Sequence, residues 1–95
     1  MKLQIVDIGW GIDRRTGEKS ESVVAEACFE SLAVGPLAPV GPTRRVFTLQ
    51  EVGEDYIVIL LSENTGKAAT IKRGEEFTHR PLTRDGGHYF RFVLE

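Results

Sequence analysis

Asp55-Tyr56-Ile57-Val58-Ile59-Leu60-Leu61-Ser62, followed by Glu63-Asn64-Thr65-Gly66, decides the fold class. The first eight residues are an almost continuous apolar run. In an extended chain Tyr56, Val58 and Leu60 point one way and Ile57, Ile59 and Leu61 the other, so the run predicts a strand covered on both sides, at the centre of a sheet. The next four residues suit a turn with glycine in the left-handed conformation, which sends the chain back along a strand over 68–72.

The same alternation of apolar runs and turn residues continues to the end of the chain. Lys72-Arg73-Gly74-Glu75 reads as a second turn and Phe77 to Leu82 as a strand. Arg84-Asp85-Gly86-Gly87 carries the Asp-Gly hairpin signal, and His88 to Leu94 closes the chain. On the other side, Arg44 to Gln50 forms a strand with Phe47 and Leu49 toward the core. Before it, Pro36, Pro39 and Pro42 with Gly35 and Gly41 exclude helix and interior strand. We read 35–43 as a crossing loop between two halves of one domain spanning 1–95, since neither half is long enough to own a core.

In the first half, Leu3 to Ile12 is extended, with Val6, Ile8, Trp10 and Ile12 on the expected core side against Asp7, Gly9, Gly11 and Asp13. Thr16-Gly17 turns the chain. Residues 22–34 fit two patterns. Val24, Ala27, Cys28 and Leu32 make a helical stripe with Ser22 as N-cap, while Val23, Ala25, Ala27 and Phe29 alternate as in a strand. The strand continues the preceding hairpin more simply. The expectation is an all-β domain: about six to eight short antiparallel strands in a β-sandwich or partly open β-barrel, with one short helix at 22–34 as the variant.

Composition narrows the function classes. With 95 residues, 41% hydrophobic and 27% charged, the chain has the make-up of a single soluble globular domain and not of a disordered tail or a fibre. Twelve basic against fourteen acidic residues argue against nucleic-acid and membrane-surface binding, which draw on a basic excess. Cys28 is the single cysteine, so no intrachain disulfide or Cys-x-x-Cys zinc site can form, and a reducing cytoplasmic location is expected. The stretch Met1 to Asp7 resembles neither a signal-peptide core nor a membrane span.

Chemistry-bearing residues are sparse. Asp7 and Asp13 share a face but lie about 20 Å apart, too far for a paired-acid site. His79 and His88, about four residues apart along their hairpin, cannot share a metal. His79 beside Phe77, Phe90 and Phe92 reads as a half-buried histidine, and Cys28 as a small buried hydrophobe. Ser62, His79 and Asp85 lack the Gly-x-Ser-x-Gly elbow, and no phosphate-binding, dinucleotide or calcium loop occurs. No catalytic residue, metal ligand or cofactor is therefore assigned.

The final hairpin offers one surface. Pairing through a two-residue Asp85-Gly86 loop sets Leu82 opposite Tyr89, Arg80 opposite Arg91 and Thr78 opposite Val93, with His79 opposite Phe92 on the other face. The facing guanidinium groups repel unless an acid such as Glu76 intervenes. Arg80, Leu82, Tyr89, Arg91 and Val93 thus have the composition of a recognition patch. The expected function is a non-catalytic protein-interaction or assembly module that uses an exposed sheet face or edge, bound to another protein or to itself as a homodimer. The alternatives are a small-ligand-binding β-barrel with an apolar cavity lined by Trp10, Phe77, Phe90 and Phe92, and a small enzyme using His79 or Cys28. A nucleic-acid role would need Arg14, Arg15, Arg44, Arg45, Arg73, Arg80, Arg84 and Arg91 to form one stripe.

Overall fold

Each long apolar run becomes a strand. The computed structural model describes residues 1–95 apart from Leu82 and Arg84. The strands are β1 (Leu3–Ile12), β2 (Lys19–Phe29), β3 (Gly35–Pro36), β4 (Thr48–Val52), β5 (Tyr56–Ser62), β6 (Lys67–Lys72), β7 (Glu76–His79) and β8 (Gly86–Leu94). They form two antiparallel four-stranded sheets, in the orders β2-β1-β8-β7 and β3-β4-β5-β6. Among the described residues there is no helix: 22–29 lie in β2, so the helical stripe at 22–34 is not used. The fold is the small all-β sandwich that alternation implies.

Turn chemistry behaves as expected in three places. Gly17, Gly66 and Gly74 all adopt positive φ, at 74°, 70° and 86°. The chain changes sheet at 30–34, between β2 and β3; the segment 35–43 begins in β3, a two-residue strand on the edge of the second sheet where a missing N–H is tolerated, and leads on toward β4 of that same sheet. Arg44 to Gln50 is not one strand. Val40 and Arg45 bridge across a tight turn, Arg44 has a φ of 52°, and β4 begins only at Thr48.

Leu3 and Ile5 of β1 and Phe90, Phe92 and Leu94 of β8 meet Leu49, Ile57, Ile59, Leu61 and Ile71 of the second sheet in one core. Phe47, immediately before β4, sits edge-on to both Phe90 and Phe92, with ring centroids 5.1 and 5.0 Å away. β5 lies inside its sheet, but it is covered on one side only: Tyr56, Val58 and Leu60 are half-exposed. The side of β1 expected to face the core is also corrected. Leu3, Ile5 and Asp7 face the other sheet, while Val6, Ile8 and Trp10 join Tyr89 in a separate cluster on the outer face.

The last hairpin is slipped by two residues from the expected register. Thr78 faces Arg91, His79 faces Phe90 and Glu76 faces Val93. Pairing stops at His79; Pro81, which this register would set opposite His88, has no N–H to donate to the ladder. Asp85 is drawn elsewhere: its carbonyl accepts from the Ile12 amide at 2.9 Å, and its carboxylate pairs with Arg14. A slip of two leaves every side chain on its expected face, so the phenylalanines still point inward.

The apolar interior ends near Asp7. Beyond it the inner positions of β2, β1 and β8 include Gly9, Gly11, Ser20, Ser22, Val24, Gly86 and His88, none of them part of the core. The strands β2, β1 and β8 continue regardless. This accounts for a radius of gyration of 14.1 Å, against about 12.4 Å for a compact chain of this length.

Candidate functional site

The outer face of the first sheet carries most of the residues singled out from sequence. The cross-strand pairs Ile8–Tyr89 and Ile8–Val23 form an apolar row across β8, β1 and β2. The Arg80 guanidinium lies 3.9 Å from the centre of the Tyr89 ring, and the Tyr89 hydroxyl donates to Glu21 at 2.9 Å. Tyr89 is therefore buried, not an open platform. Lys19 and Tyr89 together hold the Glu21 carboxyl below its ordinary range, Lys19 contributing more. Arg91 is not opposed by Arg80; its nearest ionic partner is Glu76, 3.7 Å away. Val93 shares this face, half-buried. Leu82 lies outside the described residues. The face is an apolar row with arginines toward β7 and the acids Glu21 and Glu26 on β2.

β2 borders this row and is one of the two edge strands of the sheet, with β1 as its one neighbour. Val23 and Val24, midway along it, are 53% and 43% exposed. The register with β1 shifts between Asp7 and Ile8: Asp7 faces Ala25 while Ile8 faces Val23, so Val24 is an extra, bulged residue. Its side chain lies on the inner side, close to Gly9.

A second constellation was not foreseen. Asp7 is wholly buried, and its Oδ1 lies 2.6 Å from Nδ1 of His88, whose side chain is 31% exposed. Oδ2 has no hydrogen-bond partner and packs against Gly41, where a Cβ would overlap it. The sequence signal was the parity of Leu3, Ile5 and Asp7, which places the carboxylate on the core side. A carboxylate holding an imidazole is half of a catalytic arrangement, yet among the described residues no hydroxyl or thiol hydrogen-bonds to His88.

The alternative sites do not assemble. His79 is on the inner face of β7 and Cys28 on the outer face of β2, at opposite edges of the sheet. Burial, then Lys67 and Arg45, pushes the His79 pKa down. Trp10 lies on the outer face under Lys19, whereas Phe90 and Phe92 pack on Phe47, so no single cavity is lined by all of them. The arginine stripe is dispersed: Arg14 pairs with Asp85, Arg73 with Asp55, and Arg45 turns inward to the Leu61 carbonyl. Among the described residues no three His, Cys, Asp or Glu side chains are grouped to hold a metal, and no helix is long and apolar enough to cross a membrane. No family model, curated protein or solved structure matches the chain.

Proposed function

We propose that this domain is a non-catalytic interaction or assembly module that works through the open edge of β2 and the outer face beside it. The observation that carries this reading is β2 itself. It is eleven residues long, contains no proline, has one neighbour, and exposes two valines at its middle. A strand of that kind offers a row of unpaired amides and carbonyls as a template for another strand. The adjoining row of Val23, Ile8 and Tyr89, with Arg80 and Arg91 on one flank and Glu21 and Glu26 on the other, adds apolar area and a fixed charge polarity.

The test is recovery of complexes on the immobilised full chain. Val24→Lys disturbs the edge, and Arg80→Glu with Arg91→Glu reverses the charge of the face. Loss of complexes in these folded variants is the expected result. Retention of every wild-type complex by both would overturn the reading.

A further inference from the structure

The bulge at Val24 selects its own partner. On β2, Lys19, Glu21, Val23, Glu26 and Cys28 share the outer face, and Ser20, Ser22, Ala25, Ala27 and Phe29 the inner one, because the extra residue shifts the alternation by one. A regular strand laid along this edge matches faces on one side of the bulge and mismatches them on the other. Only a strand bulged at the corresponding place keeps both halves in phase, and a second β2 is such a strand.

We infer that the occupant of the β2 edge is a second copy of this chain, paired antiparallel about a two-fold axis between Val24 and Ala25. In that register Val24 faces Ala25 of the second copy, Val23 faces Glu26, Ser22 faces Ala27, Glu21 faces Cys28 and Ser20 faces Phe29. Each pair joins residues of one face. Lys19, which holds Glu21 at 3.0 Å, then has Glu30 of the second copy opposite it, twice over by symmetry. Moving the axis by half a residue sets inner against outer positions along the strand. Moving it one residue toward the N-terminus sets Val23 against Val24 and two glutamates, Glu21 and Glu26, against each other. The two bulges meet at the axis and offset one another, and the sheets join into one of eight strands.

This inference rests on the reading of β2 as the working edge and names its partner. Sedimentation equilibrium of the full chain is expected to give about 21 kDa, twice the 10.6 kDa of one chain. Val24→Lys, which brings two ammonium groups to the axis, is expected to return it to monomer. With Cys28→Ser in the background, Val23→Cys combined with Glu26→Cys is expected to give an oxidised, covalent dimer, whereas Val23→Cys alone is not. The two positions are too far apart on one strand to bridge internally. A wild-type monomer at every concentration overturns the self-pairing, as does a dimer indifferent to Val24→Lys. The two failures separate cleanly. If the chain is monomeric but Val24→Lys still removes a different partner, only the self-pairing falls; if capture is also unchanged, the working-edge reading falls with it.

Discussion

Asp7 and His88 meet inside the sandwich with Oδ1 of the one 2.6 Å from Nδ1 of the other, and the carboxylate has no exposed surface. Removing the ring takes away the hydrogen-bond partner of Oδ1 on a buried side chain. His88→Ala is expected to cost about 3 kcal/mol, the upper end for a buried acceptor left without its partner. Asp7→Asn keeps a polar partner and removes the charge, at about 1 kcal/mol. Urea denaturation of both variants checks this, and a His88→Ala loss no larger than that of Asp7→Asn would show that the buried side chain does not depend on the ring.

Gly41 and Gly66 separate backbone strain from crowding. Both have positive φ, 73° and 70°, but a Cβ at Gly41 would meet the Asp7 carboxylate, and one at Gly66 would meet nothing within 4 Å. Gly66→Ala should cost about 1 kcal/mol from the left-handed conformation. Gly41→Ala should cost clearly more, about 3 kcal/mol. In an Asp7→Ala background the Gly41 penalty should shrink toward that of Gly66. An additive double-mutant cycle would refute the contact.

His79 sets a pH dependence. Burial, with Lys67 and Arg45 nearby, lowers its pKa in the folded chain, so below about pH 6.5 the unfolded chain binds the proton more readily. Its contribution to stability is complete above that pH and is lost as the pH falls toward the depressed folded value. His79→Leu should flatten this part of the profile, measured as the difference in urea midpoint between variant and wild type from neutral pH downward. A difference independent of pH would contradict the assignment.

Tyr56 donates to Glu51 at 2.7 Å, and that bond, together with the carboxylate charge, raises the phenol pKa. Ultraviolet titration in Tyr89→Phe, which isolates the Tyr56 signal, should show ionisation above the ordinary tyrosine range. Glu51→Ala should bring it back toward that range. No movement would mean that the hydrogen bond does not persist in solution.

Much of the fold was legible because strands and turns are local. Ile57, Ile59 and Leu61 alternate into a strand wherever they are placed, and Gly17, Gly66 and Gly74 turn the chain because glycine takes positive φ without steric cost. The candidate face was legible in part, since Tyr89, Arg91 and Val93 occupy alternate positions of one strand. Arg80 does not face Arg91, because the strand register is fixed by packing of Phe77 and His79 against β8 and the ladder ends before Pro81, which has no N–H to extend it.

What the sequence by itself determined was periodicity: which stretches extend, where they reverse, and which side chains share a face. Tertiary structure decided which of two apolar faces became the interior. Val6 and Ile8 are as hydrophobic as Leu3 and Ile5, and only the approach of Phe47, Phe90 and the second sheet selects between them. The same packing carried Asp7 inward against Gly41 and His88, and left β2 with one neighbour. Alternation is set by bonded neighbours within each strand, whereas sidedness and open edges depend on surfaces brought together from distant parts of the chain.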